Sequence, residues 1–103
     1  MIVSILNAAH LVPFVGTSFN LINESGTSRV LLDKVVEYPA STAPGAPRTA
    51  FSLFFSLQKS EASEIESGHF AIEHDDLETI ASVYIERVLA SRPDEIRLEA
   101  AFN

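Results

Sequence analysis

The 103-residue sequence contains no cysteine and only four glycines, and both shortages close chemical possibilities. Without cysteine the chain has no disulfide, no thiolate metal ligand and no cysteine nucleophile. The glycines stand singly, so there is no glycine-rich loop of the kind that cradles a phosphate group. No cofactor is predicted.

Positive charge is also scarce. Seven lysines and arginines against fourteen acidic residues give a formal net charge of −7. The basic residues occur one at a time along the chain, so they form no patch that could overcome the repulsion between this acidic protein and a phosphate backbone. We therefore expect no nucleic-acid partner, and an anionic membrane surface is disfavoured for the same reason.

Long hydrophobic runs are missing as well. The longest apolar stretches fall far short of the roughly 20 residues that cross a bilayer as a helix. Met1–Leu6 lacks the basic start and the long apolar core of a signal peptide. The expectation is a cytoplasmic protein, or one that is assembled into a particle.

The composition is that of a folded domain, with 47% hydrophobic and 20% charged residues. A chain of this length forms one domain, 1–103, and buries roughly 60–70% of its unfolded surface. That is enough for one core, but not for a core and a deep active-site cavity. The chain is rather apolar for its size, which suggests that a partner or a second copy covers part of its surface.

Alternation of apolar and polar residues, the pattern of a half-buried β-strand, recurs along the chain. It is clearest near the carboxyl end, where Ile96, Leu98, Ala100 and Phe102 form one face. Strands are predicted at Thr17–Ile22, Ser28–Tyr38, Ala50–Leu57, from Gly68 with Phe70 and Ile72 inward, and from Asp94 to Phe102. The segment Ala50–Leu57 is the most apolar and is predicted to be a central strand. In Ser28–Tyr38 the alternation changes phase, which predicts a β-bulge near Asp33–Lys34.

Turn-forming residues separate these strands. A short helix is predicted over Val3–Leu11, capped by Ser4 and ended by Pro13. The predicted connections are a turn at Gly16, a hairpin turn at Asn23–Gly26, a loop at Pro39–Arg48 and a polar turn at Lys59–Ser67. Residues Asp75–Ser91 are ambiguous. Leu77, Ile80, Ala81, Tyr84 and Val88 have helical spacing, which slightly favours a helix, whereas the β-branched and aromatic run at 80–86 favours a strand.

One local group of residues could carry chemistry. His69, His74, Asp75 and Asp76 are types that bind metals or transfer protons, but their spacing matches no familiar ligand motif. We interpret the two aspartates as turn or cap residues. The chain has many serines, three histidines and several aspartates, yet it has no Gly-x-Ser-x-Gly context for a catalytic triad. We therefore predict no catalytic, cofactor-binding or metal-binding residue, and no enzyme.

The phenylalanines allow two interpretations. Phe51, Phe55 and Phe70 have core-facing parity, and phenylalanine at such positions usually packs rather than binds a ligand. Phe54 has the opposite parity. It either fills the far side of a two-sided sheet or marks an interface.

Five short segments occur in a distinctive order: His10–Phe19, Val30–Val35, Ala50–Phe55, Gly68–His74 and Leu98–Asn103. In this order the chain resembles a family of short, uncharacterised bacterial and phage proteins, a domain of unknown function. The resemblance implies genes near those of tail-collar or tail-fibre type proteins. It departs at Leu98, where the family tends to have tyrosine, and at Glu78, where it tends to have glycine. The resemblance also implies a strand over 76–91, which we adopt because a helix there would leave the neighbouring strands poorly paired.

The fold class predicted is mainly β: a small antiparallel β-barrel or sandwich of about six strands with a short N-terminal helical turn. The predicted function is that of a non-enzymatic structural or assembly protein, of a phage-tail-like kind, acting through protein contacts and self-association. Candidate contact features are the Pro39–Arg48 loop, Phe54 and any open edge strand. The alternative is a barrel that holds a small apolar or carbohydrate ligand in a cavity lined by Phe51, Phe55 and Phe70.

Overall fold

Residues 6–59 and 65–103 are described by a computed structural model of the protein. They form a short α-helix, α1, Ala8–Leu11, which continues as a 3-10 turn, Val12–Phe14, and six strands. The strands are β1 Ser18–Asn23, β2 Gly26–Glu37, β3 Phe51–Gln58, β4 Gly68–His74, β5 Leu77–Val88 and β6 Glu95–Phe102. A second 3-10 turn, Pro39–Ser41, follows β2. The predicted mainly-β class with a helical turn near the amino end is confirmed.

The six strands pair antiparallel in the order β1-β2-β3-β6-β5-β4, and pairing of β1 with β4 closes the sheet into a barrel. Of the two predicted architectures, the protein therefore adopts the barrel. Because the sheet is closed, each described strand has a neighbour on both sides along at least part of its length. The predicted open edge strand is therefore absent among the described strands as a whole strand. Strand β3 lies between β2 and β6, and seven of its eight residues are buried or half-buried, as expected of a central strand.

Strand β2 contains the predicted bulge. Leu32 pairs with Phe55 and Lys34 pairs with Phe54, so Asp33 is an extra residue on β2 with no residue opposite it. The extra residue moves the following side chains to the other parity. This explains why the apolar alternation changes phase in the sequence.

Strand β5 occupies the segment for which periodicity favoured a helix. The helix prediction is wrong, and the strand that we adopted for residues 76–91 is confirmed over Leu77–Val88. Ile72 of β4 pairs with Ile80, whereas Phe70 pairs with Val83, so β5 carries one more residue than β4 between these pairs. The backbone of Ser82 takes a left-handed φ of 59° within this bulge. A second register shift separates the Ile72–Ile80 and His74–Leu77 pairs, so Leu77 and Ile80 lie three positions apart, a spacing that imitates one turn of a helix.

The N-terminal helix is shorter than predicted. It begins at Ala8 with Asn7 as N-cap, and the backbone N–H of Asn7 donates to Nδ1 of His10 at 3.1 Å. The predicted start at Val3 and the predicted cap Ser4 lie outside the described residues. The α-helix ends at Leu11, before Pro13, as expected.

The other connections follow the sequence. A two-residue turn between Asn23 and Gly26 joins β1 to β2, and residues 39–48 form the predicted loop. Most of the predicted polar turn at Lys59–Ser67 lies outside the described residues. Ile65, however, is buried in the core, which a solvated turn does not predict. No helix in the described part of the chain is both long and apolar enough to cross a membrane.

Candidate functional site

The structure separates the residues that could have formed a reactive group. His69 and His74 lie near opposite ends of β4, and their side chains have opposite parity. The ring of His69 is exposed and packs edge-on against Tyr84, with 5.3 Å between centroids. Asp75 and Asp76 are exposed in the turn between β4 and β5. Within the described ranges, no three histidine, aspartate or glutamate side chains are placed to hold a metal ion.

His74 instead joins the N-terminal segment to the barrel. Thr17 donates its hydroxyl proton to the carbonyl oxygen of Phe14 at 2.6 Å, so at 3.0 Å it accepts a hydrogen bond from Nε2 of His74. The backbone N–H of Asp76 donates to Nδ1 of His74 at 3.0 Å. The network therefore assigns the neutral Nε2–H tautomer. The rings of Phe14 and Phe19 pack against the imidazole at centroid distances of 4.8 and 4.6 Å. We expected the aspartates to bond the turn amides, but the histidine does so.

Replacing His74 with alanine is expected to lower the free energy of unfolding by about 2–3 kcal/mol, because it removes two hydrogen bonds and the ring packing. Urea denaturation followed by circular dichroism measures this loss. His69→Ala is the matched control on the same strand and should change stability by less than about 0.5 kcal/mol. An equal loss of unfolding free energy in the two variants would show that the contacts of His74 with Phe14 and Thr17 do not stabilise the protein.

The barrel interior is filled where the alternative hypothesis required a cavity. Phe51, Phe55 and Phe70 are 1%, 0% and 3% exposed and belong to a single core cluster. Phe55 meets the edge of Phe19 at 5.6 Å between centroids, and Phe51 stacks on Phe102 at 4.7 Å. This packing weighs against a ligand chamber lined by these rings.

Arg48, at the end of the Pro39–Arg48 loop, turns back onto the barrel rather than outward. Its Nη1 donates to the carbonyl oxygen of Leu6 at 2.6 Å and its Nε donates to that of Asn103 at 2.8 Å. Its guanidinium carbon lies 5.6 Å from the ring centre of Phe51 and 5.8 Å from that of Phe102. Sequence reasoning missed this residue, because its hydrogen-bond partners lie 42 and 55 positions away and leave no local pattern.

Phe54 points to the outside of the barrel, as its parity predicted, and is half-buried there. It lies in the middle of the outward side chains of three adjacent strands, which we call the Phe54 face. The register arranges this face in three rows: Leu31, Ser56 and Arg97; Lys34, Phe54 and Glu99; Val36, Ser52 and Ala101. It is therefore a continuous surface of β2, β3 and β6.

Two cations flank the ring at the centre of this face. Nζ of Lys34 is 4.9 Å and the guanidinium carbon of Arg97 is 5.6 Å from the centroid of Phe54. The carboxylate of Glu99 accepts a hydrogen bond from Ser52 at 2.6 Å. Nε of Arg97 is buried and has no hydrogen-bond partner among the described residues. The centre of the face thus holds an aromatic ring with two cations and one carboxylate, Glu99, beside it.

Comparison with known proteins identifies the family of the chain. A family model with the description "Domain of unknown function (DUF6916)" matches residues 6–102. No curated protein and no solved structure matches the chain significantly. The resemblance to an uncharacterised family is therefore confirmed over nearly the whole chain, and the match carries no information on neighbouring genes.

Proposed function

We propose that this protein, which belongs to the DUF6916 family, is a non-enzymatic assembly protein that works through protein–protein contacts. The observation that supports this proposal is the Phe54 face, where an aromatic ring lies between two cations on the outside of a filled barrel. Leu31, at one corner of the face, is 40% exposed although it is apolar. Aromatic and arginine side chains with an apolar neighbour are the usual anchors of protein interfaces.

The charge of the face indicates what it binds. Lys34 and Arg97 would attract a partner that presents carboxylates. A second copy of this chain is such a partner, because Glu99 lies on the same face beside Phe54 and can meet Lys34 or Arg97 of the other copy. We therefore propose self-association through the Phe54 face as the first contact that the protein makes.

The resemblance in sequence extends this proposal to the setting. We propose that the protein is made in the cytoplasm and serves as an accessory of a phage-tail-like particle. The support is the order of the short motifs, from His10–Phe19 to Leu98–Asn103. The position of family genes tests this part: genes for tail-collar or tail-fibre type proteins should recur beside them, and random neighbours would contradict it.

Replacing Phe54 with serine is expected to weaken self-association at least about 30-fold, the effect of removing a central aromatic anchor from an interface. Size-exclusion chromatography with light scattering measures the mass of wild type and variant across a range of concentrations. The wild type should form a dimer or larger species at concentrations where Phe54→Ser is a monomer.

Tyr84→Ser is the matched control, since Tyr84 is also an outward aromatic, is 52% exposed, and lies on β5, which is not one of the three strands of the Phe54 face. It should self-associate like the wild type. A monomeric wild type at every concentration, or equal weakening by the two variants, would contradict self-association through this face.

A further inference from the structure

Strand β2 exchanges one neighbour for another halfway along its length. Residues Gly26–Leu31 pair with β1, whereas residues Leu31–Glu37 pair with β3. Strands β2 and β3 therefore diverge beyond the Leu31–Ser56 pair. Along Gly26–Val30, β2 has a pairing strand on only one side within the described chain.

The backbone of this segment presents hydrogen-bonding groups to the side that lacks a strand. Leu32 donates its N–H to the carbonyl oxygen of Thr17 at 3.0 Å and accepts from the N–H of Gly16 at 2.8 Å, so both of its backbone groups point towards β1. Successive residues of a strand point these groups to alternate sides. Thr27 and Arg29 therefore direct their N–H and C=O groups away from β1, and no described residue pairs with them there.

A groove of about 480 Å³ occupies the place where the missing strand would lie. Arg29, Val30 and Leu31 form one wall of this groove. The end of β3, from Ser56 to Gln58, and the loop before β6 form the other wall. The groove thus offers an unpaired backbone edge on one side and side chains on the other.

We propose that this groove binds an extended segment of a partner protein, which adds to β2 as an antiparallel strand in line with β3. This inference rests on the proposed function only in that both require the protein to work through protein contacts. An unpaired strand edge is a template for such β-strand addition, and the backbone groups of Thr27 and Arg29 would form its hydrogen bonds.

The side chains beside the edge define the chemistry of the added strand. Arg29 is exposed on the outer face, whereas Val30 faces inward and is buried. Paired residues of an antiparallel sheet share a face, so the partner residue opposite Arg29 would be acidic and the one opposite Val30 apolar. Arg92, Asp94 and Glu95 line the other wall, where two carboxylates outweigh one cation. The acidic residue of the partner therefore belongs beside Arg29 on β2. The occupant is therefore a strand of alternating acidic and apolar residues.

A blocked seven-residue peptide that alternates valine with glutamate tests this proposal, with amide NMR of the full-length protein as the measurement. The amide signals of Thr27, Arg29 and Leu31 should shift most.

A peptide with lysine in place of glutamate should bind about two- to fivefold more weakly, the size of one exposed cross-strand charge pair. The valine–glutamate peptide with alternate backbone amides methylated should bind about tenfold more weakly, because it cannot pair with the edge.

The protein variant Arg29→Glu should reverse the preference between the glutamate and lysine peptides. Glu73→Lys, an exposed outward change on β4, is the control and should leave the preference unchanged. Unshifted Thr27 and Arg29 amides at about 1 mM peptide, or equal binding of the methylated peptide, would overturn the proposal.

This result is separable from that of the Phe54 face. Peptide binding together with an unchanged mass of Phe54→Ser would keep the groove and reject self-association through the face. Dissociation of Phe54→Ser without shifts at the groove would reject the groove and keep the assembly function.

Discussion

Replacing Phe55 with alanine should lower the free energy of unfolding by about 3–5 kcal/mol, the range for a large aromatic removed from a packed core. Phe55 is fully buried, pairs with Leu32 on one side and Leu98 on the other, and meets the edge of Phe19. The rigid walls of a closed barrel collapse poorly into the space that the ring leaves, so the loss should be near the upper part of this range. Urea denaturation measures this loss of stability. Circular dichroism is followed at one wavelength that reports secondary structure and at another that reports aromatic packing.

The next residue in the chain supplies the control. Phe54 has the opposite parity and is half-buried outside the barrel, so Phe54→Ala should cost only about 1 kcal/mol in the monomer. Phe55→Leu should restore a large part of the lost stability, because it refills much of the space. Equal destabilisation by Phe54→Ala and Phe55→Ala would contradict the assignment of inside and outside on β3, on which the Phe54 face depends.

Replacing Arg48 with alanine should lower the free energy of unfolding by about 2–4 kcal/mol, since hydrogen bonds to a charged group contribute roughly 1.5–3 kcal/mol each and partly overlap. Arg48 connects the carbonyl oxygens of Leu6 and Asn103, which lie at opposite ends of the described chain. Its planar group also covers the stacked pair Phe51 and Phe102. Loss of this residue should therefore also raise hydrogen exchange near both ends of the chain, which mass spectrometry can follow.

Arg48→Lys separates geometry from charge. Lysine keeps the positive charge but lacks the planar fork that reaches two acceptors at once, so it should recover less than half of the loss. Arg92→Ala, a change of an exposed arginine in the loop before β6, should cost less than about 0.5 kcal/mol. If Arg48→Lys were as stable as the wild type, the charge alone would account for the contribution of Arg48.

The sequence was informative wherever a local pattern decides the structure. The phase change near Asp33 predicted the bulge in β2, since each inward or outward position on a strand is fixed by its neighbours. The opposite parity of Phe54 and Phe55 predicted which ring lies outside, and β3 confirms it. Such patterns need no knowledge of distant contacts.

Strand β5 shows where local patterns mislead. The spacing of Leu77 and Ile80 imitates a helix because a register shift lies between the Ile72–Ile80 and His74–Leu77 pairs, whereas Ala81 and Tyr84 are exposed. A bulge is defined by the strand opposite, so it leaves no unambiguous sign in the segment itself. The neighbouring strands need a partner to pair with, and this requirement correctly predicted a strand here. The periodicity of the segment predicted a helix, which is wrong.

The features that bear on function were the hardest to foresee. The sequence indicated Phe54 but not the two cations beside it, because Lys34 and Arg97 are 63 residues apart and meet only through the pairing of three strands. The unpaired edge at Thr27 and Arg29 also depends on where β3 leaves β2. In the turn after β4, His74 accepts the hydrogen bond from a backbone N–H that we had predicted for Asp75 or Asp76. The prediction favoured the aspartates because Asp accepts such bonds in turns more often than His does.

The central proposal is that this barrel is packed inside and acts through its outer surface at Phe54. Hydroxyl-radical footprinting tests it most directly, because it reports the solvent exposure of individual aromatic rings. As protein concentration rises, the oxidation rate of Phe54 should fall while that of Tyr84 stays constant. An oxidation rate of Phe54 that stays unchanged from dilute to concentrated solution, or that falls in parallel with that of Tyr84, would contradict the proposal.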